Sequence, residues 1–144
     1  MDAATRRLVQ QRAGNACEYC RLAQEDEPFA SFHVEHIIAR QHGGSDDPGN
    51  LCWACTSCNL HKGPNIAGRD PETKQLVPLF HPRQQAWEDH FEWNGAELTG
   101  KTPTGRATVV VLGINLPENV ELREALIAEQ IRRSLQEGTR GVDS

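Results

Sequence analysis

His33-Val34-Glu35-His36-Ile37-Ile38-Ala39-Arg40-Gln41-His42-Gly43-Gly44-Ser45-Asp46-Asp47-Pro48-Gly49-Asn50-Leu51-Cys52-Trp53-Ala54-Cys55-Thr56-Ser57-Cys58-Asn59-Leu60-His61-Lys62 is the stretch that decides the fold. Its first six residues, His33 to Ile38, predict a short strand. Gly43 to Asn50 holds Gly-Gly, Asp-Pro and Pro-Gly pairs, which predict a tight reversal of the chain. Leu51-Cys52-Trp53-Ala54 is a second apolar run, followed by a Cys55-x-x-Cys58 knuckle. Asn59 then sits where a helix would start, and Gly63 and Pro64 would stop that helix early. The stretch reads strand, loop, strand, helix.

A second knuckle, Cys17-Glu18-Tyr19-Cys20, precedes it. Each Cys-x-x-Cys places two thiolates on one side of a tight turn, half of a tetrahedral Zn²⁺ site. Together Cys17, Cys20, Cys55 and Cys58 predict a structural Zn²⁺. The gap between the knuckles exceeds that of a simple zinc ribbon, and an inserted pair of strands accounts for it. Cys52 is left over on the apolar strand and reads as a buried free thiol.

Three residues between and beside the knuckles carry chemistry. Glu35 is a hard oxygen ligand suited to Mg²⁺ or Mn²⁺, and Asn59 offers a neutral carbonyl oxygen as a second ligand. So few protein ligands leave positions open for a substrate phosphate. Histidine ordinarily titrates closest to neutrality, so His36 is the candidate to take a proton from water. In an ideal strand Glu35 and His36 face opposite ways, and they can share a site only where the strand twists into the loop. His33 shares a face with Glu35 and is a candidate to approach the ion, against a partly buried structural role. Arg40, His61 and Lys62 flank the site as candidate substrate contacts.

The chain of 144 residues is most simply one compact unit, with a core at residues 1–66 and an extension, 67–144, packed on it. Only 6% of residues are aromatic, so the apolar core is modest and a staple is expected. The apolar runs are too short to span a membrane, and Met1 to Arg7 has no secretory h-region. A cytoplasmic protein is the expectation, in which five cysteines point to metal rather than disulfides. The net charge of −5 speaks mildly against nucleic acid, although a bound cation would offset part of it.

Asp2 and Gly14 bracket a helix over Ala3–Ala13, with Ala4, Leu8 and Val9 as its candidate core face and Arg6, Arg7 and Arg12 in solvent. Glu25 to Pro28 is a connector. Gly68 to Pro71 reads as a turn and Leu76 to Phe80 as extended. Trp87, Phe91 and Trp93 form an aromatic cluster. Asn94-Gly95 signals a hairpin. The β-branched run Thr108 to Val111 favours a strand over residues 104–112. Pro117 to Leu135 is the clearest helix, acidic early and basic late, and the tail from Gly138 to Ser144 is expected to fray.

The order Glu35-His36-Ile37-Ile38, Gly43-Gly44, Asn50-Leu51 and Cys55-x-x-Cys58-Asn59-x-x-Lys62-Gly63 resembles the HNH endonucleases, the ββα-metal nuclease family. Leu79-Phe80-His81-Pro82-Arg83, Trp87-Glu88-Asp89-His90-Phe91 and Gly105-Arg106-Ala107-Thr108 are similar to the downstream region of small stand-alone bacterial HNH proteins. The resemblance implies an α+β fold: a zinc-stapled, treble-clef-like ββα-metal core with an N-terminal helix and a C-terminal satellite of short strands and helix. It implies hydrolysis of DNA, most simply duplex, to 5′-phosphate ends by a monomer or homodimer. His36 would be the general base, Glu35 and Asn59 the holders of catalytic Mg²⁺ or Mn²⁺, and Asn50 the brace of the loop. Two positions depart from the pattern: many members have Asp at Glu35 and Pro at Ala39. The rival readings are a non-catalytic zinc module that binds nucleic acid and a protein-interaction module on the same fold.

Overall fold

The computed structural model describes residues 1–142, with side chains through residue 137. Helix α1 spans Ala3–Arg12. Strands β1 (His33–His36) and β2 (Leu51–Ala54) form an antiparallel hairpin, and α2 (Thr56–Lys62) follows directly. Then come β3 (Ala67–Arg69) and β4 (Leu76–Pro78), α3 (Trp87–His90), β5 (Phe91–Asn94) and β6 (Glu97–Gly100), α4 (Pro103–Val111) and α5 (Pro117–Val142). Each sheet is a two-stranded antiparallel ribbon. The strand, loop, strand and helix expected of residues 33–62 are all present. The loop between β1 and β2 contains two single turns of 3₁₀ helix, at Arg40–His42 and Pro48–Asn50.

A lone two-stranded ribbon is marginal in water, so the packing around β2 matters. All four of its residues are buried. Phe32 and Trp53 pack with ring centroids 6.4 Å apart. Val9 of α1 is fully buried, whereas Leu8, expected beside it, is exposed. The α1 arginines expected in solvent are partly structural. Arg6 donates to the Phe32 carbonyl at 3.0 Å and lies over the Trp53 ring, and Arg12 donates to the Leu51 carbonyl at 2.7 Å. These bonds satisfy backbone oxygens at the edge of the hairpin.

The same buried cluster continues into the C-terminal half through Leu79, Phe80, Trp87, Phe91, Leu98, Leu112 and Ile114. Trp87 Nε1 donates to the Tyr19 carbonyl at 2.8 Å, and Arg83 pairs with Glu18, whose other oxygen accepts from the Trp53 amide at 2.8 Å. The first knuckle is therefore clamped between the two halves.

Two expectations fail here. Residues 68–69 lie in β3 rather than a turn, because Asp70 is drawn inside by Arg106, which forks onto both carboxylate oxygens at 2.9 Å. Residues 104–111 are helical, not a strand. Thr102 caps the helix by accepting from the Gly105 amide at 3.0 Å, Pro103 sits in the first turn, and the Thr108 hydroxyl bonds back to the Thr104 carbonyl. Capping and tertiary packing override β propensity. The helix can lie this close to β6 only because both crossing points are glycine. A Cβ on Gly100 would come within 2.3 Å of the Arg106 nitrogen, and one on Gly105 within 2.2 Å of the His90 oxygen. The Asn94-Gly95 hairpin forms as expected. α5 continues to Val142, beyond the point where fraying was expected, and residues 143–144 of that tail lie outside the described residues. No helix among the described residues is long and apolar enough to cross a membrane.

Candidate active site

The two knuckles meet beneath the hairpin. The sulfurs of Cys17, Cys20, Cys55 and Cys58 lie within 4.8 Å of one another, all on buried residues. Cys20 Sγ and Cys55 Sγ are 3.7 Å apart, close to the edge of about 3.8 Å that a tetrahedron with metal–sulfur bonds of about 2.3 Å requires. The first thiolate of each knuckle accepts a backbone N–H from the second: Cys17 from Cys20 at 3.5 Å, Cys55 from Cys58 at 3.3 Å. Hydrogen bonds within the cluster, from Cys17 first, hold the Cys55 thiol well below its ordinary range and push Cys58 up. Four thiols this close cannot all ionise without a cation among them. The four cysteines are positioned to hold a metal ion. Cys55 also caps α2, so Asn59 lies in the middle of that helix rather than at its start.

Glu35 and His36 leave β1 on opposite faces. Glu35 turns inward and is buried, opposite Cys52 in the register, while His36 turns outward and is half-buried. Glu35 sits at the centre of a buried polar group. Its Oε1 is 2.8 Å from Lys62 Nζ, and its Oε2 accepts from Cys52 Sγ at 3.6 Å, which in turn contacts Tyr19 Oη. Burial raises the Glu35 carboxyl from its usual 4.5 to about 6, against the opposing pull of the Lys62 ammonium. The free thiol expected at Cys52 is buried as anticipated. Lys62, expected as a substrate contact, lies inside the protein instead, where its ammonium donates to the Ile37 carbonyl at 3.0 Å. A long amphipathic side chain at the end of a short helix finds more partners beneath the hairpin than above it.

His36 is held from the loop side. Its Nε2 lies 2.7 Å from Asp46 Oδ1, and Arg40 donates to the same oxygen from Nε at 3.1 Å and Nη2 at 2.9 Å. The His36 ring, and after it Arg40, keep the Asp46 carboxyl below its ordinary range. Asn50 secures the loop with every polar atom of its amide. Oδ1 accepts from the Ile38 amide at 2.9 Å, and Nδ2 donates to the carbonyls of Ile38 at 2.9 Å and Ser45 at 2.8 Å. Gly44 lets the two sides of the loop touch, since a Cβ there would lie 1.7 Å from the Ile38 oxygen.

The remaining candidates are more peripheral. His33 is half-buried with Nε2 3.4 Å from Thr56 Oγ1, and His61 is exposed with Nδ1 2.8 Å from the Ser57 carbonyl. Asp46 escaped the reading of the sequence, in which it was only one of several polar loop residues. A carboxylate within the reversal after a candidate base was the signal available. Glu35 and Asn59, the two candidate ligands for a divalent ion, are both oxygen donors. Glu35 Oε1 is buried and faces the Lys62 ammonium at 2.8 Å, so a metal ion on this oxygen would have to displace that ammonium. The Asn59 amide makes no side-chain hydrogen bond among the described residues and lies one helical turn before Lys62, on the same face of α2.

Two cysteine knuckles locking a β-hairpin to a short helix, with a histidine at the hairpin's end, define a zinc-knuckle ββα-metal domain. Residues 17–65 match the family model for HNH endonuclease, so this segment of the chain is an HNH domain, a type of domain that implies nuclease-type activity. No curated protein and no solved structure matches the chain.

Proposed function

We propose that this protein is an endonuclease that hydrolyses phosphodiester bonds in duplex DNA with a divalent metal. The observation that carries the reading is the presentation of His36 on the outer face of a braced hairpin, with Asn50 fixing the loop that follows it. Residues 1–66 are the nuclease core and 67–144 an extension packed on it. Zn²⁺ on the four cysteines is structural. Mg²⁺ or Mn²⁺ with Glu35 and Asn59 as its protein ligands would supply Lewis-acid polarisation of the phosphate and charge neutralisation at the leaving oxygen, which requires Glu35 to give up its Lys62 partner and turn toward the His36 face.

His36 acts as general base. It takes a proton from water, the water oxygen bonds to phosphorus, and the bond from phosphorus to the 3′ oxygen breaks. The electron pair leaves with that oxygen, which is protonated from solvent, and the imidazolium returns its proton to solvent. Arg40, exposed and joined to His36 through Asp46, would meet a substrate phosphate, and His61 is a second exposed candidate. One site cuts one strand, so a monomer nicks and a homodimer or two visits break the duplex. The cytoplasm, where DNA and reduced thiols coexist, suits such a protein.

Incubation of supercoiled plasmid with pure protein tests the reading. Nicking that requires added Mg²⁺ or Mn²⁺ and stops on mild chelation, with the fold intact by circular dichroism, is the expected result. DNA that is bound but never cut with any divalent ion would instead favour a non-catalytic nucleic-acid module.

A further inference from the structure

The two ring nitrogens of His36 are not equivalent. Nε2 faces the Asp46 carboxylate at 2.7 Å, and Nδ1 has no hydrogen-bond partner among the described residues. A carboxylate only accepts, so Nε2 must carry the proton in this bond. In a neutral imidazole the lone pair is then on Nδ1. From this we infer that Asp46 is a positioning residue for the nuclease reaction: it fixes the tautomer and the angle of the His36 ring, so that Nδ1 is the nitrogen that takes the proton from water.

The rest of the loop supports that role. Arg40 holds the accepting oxygen of Asp46 with two donors, so the carboxylate is fixed in place and in charge. Asn50 ties the Ser45 carbonyl, immediately before Asp46, to the backbone of Ile38, two residues after His36. The His36 backbone is fixed as well, since the Ile37 amide donates to the Asn50 carbonyl at 2.8 Å and Lys62 donates to the Ile37 carbonyl. Histidine, carboxylate and the loop between them thus form one braced unit. Glu35 cannot serve as the orienting acid, because it lies on the other face of the strand with its charge on Lys62. The logic is that of any histidine base held by an acid: the acid sets which nitrogen is bare and steadies the imidazolium that forms.

The inference rests on the nuclease reading, and its test separates the two. Long-range ¹H–¹⁵N spectra of the full chain, zinc-loaded and without Mg²⁺, report the His36 tautomer without any need for activity. The wild type is expected to show a protonated Nε2 and a bare Nδ1, and Asp46→Asn a mixture, because an amide can either accept or donate. In plasmid nicking, Asp46→Asn is expected to lower kcat by about ten- to a hundredfold with KM nearly unchanged, less than the 10²–10⁴-fold that a positioned base typically contributes. Asp47→Asn, which removes the neighbouring exposed carboxylate, controls for loop charge and is expected to match wild type. A nicking wild type with the proton on Nδ1, or an Asp46→Asn that nicks as fast, overturns the assignment and leaves the nuclease reading standing. A wild type that never nicks overturns both.

Discussion

Lys62 Nζ lies 2.8 Å from Glu35 Oε1, and the two side chains are only 1% and 6% exposed. An ion pair this deep adds little net stability because desolvation offsets its attraction, yet losing one partner is costly because the other charge stays behind. Lys62→Met is therefore expected to destabilise the fold by about 3–5 kcal/mol at pH 8. The Glu35 carboxyl is raised by burial to about 6. A raised carboxyl contributes stability below its unfolded value and loses that contribution as the pH climbs through about 6. At pH 5 Glu35 is mostly protonated and needs its ammonium less, so the cost of Lys62→Met shrinks. Denaturant melts of both proteins at the two pH values check this, and an equal cost at both would show that the pair does not carry it.

The four-cysteine cluster ties residues 17–20 to residues 55–58, so metal binding and folding are coupled. Cys20→Ser or Cys58→Ser is expected to give a poorly folded or insoluble chain. Metal analysis of the pure wild type should find about one Zn²⁺ per chain. A wild type free of zinc, with serine variants that melt at the same temperature, would remove the site.

Asp70 gives a pH dependence of the opposite sign. The Arg106 fork, first among the causes, holds its carboxyl well below the ordinary 3.8. A depressed carboxyl contributes stability above its unfolded value and loses it as the pH falls. Below about pH 4 the wild type should lose stability more steeply than Asp70→Asn, and thermal melts from pH 7 downward measure the difference. Parallel curves would mean that the Arg106 pair is not linked to folding.

How much of this was legible from the sequence depends on the range of each signal. β2, the knuckles and α2 were readable because Leu51–Ala54 is uniformly apolar and two Cys-x-x-Cys pairs need one another. The helix at 103–111 was not, since a run of valines favours a strand and only Thr102, Pro103 and two crossing glycines turn it into a helix. His36, Asn50, Glu35 and Asn59 stood out by type and order. The inward turn of Lys62 and the contact of Asp46 with His36 did not, because both depend on how a loop and a helix end close over the hairpin.

The loop makes a further prediction. Gly43 has φ of +86° with open space around it, whereas a Cβ on Gly44 would collide with the Ile38 oxygen and press on Asn50 Nδ2 at 2.9 Å. Gly43→Ala is expected to cost about 1 kcal/mol of backbone strain and retain most activity. Gly44→Ala should abolish most nicking while leaving zinc in place, and Asn50→Ala should lower nicking less severely than loss of His36. Nicking rates and zinc content of the three variants decide it; equal activity for Gly43→Ala and Gly44→Ala would show that the brace does not orient His36.

The central claim is that His36 is the base. The most direct measurement is the initial nicking rate of His36→Ala against wild type in saturating Mg²⁺, with His42→Ala controlling for the loss of any histidine. The substitution removes no proposed metal ligand and no cysteine, so folding, zinc content and DNA binding should stay near normal. The expected result is a rate lower by about 10²–10⁴-fold for His36→Ala and an unchanged rate for His42→Ala. Equal rates for all three proteins would contradict the account and place the active site elsewhere.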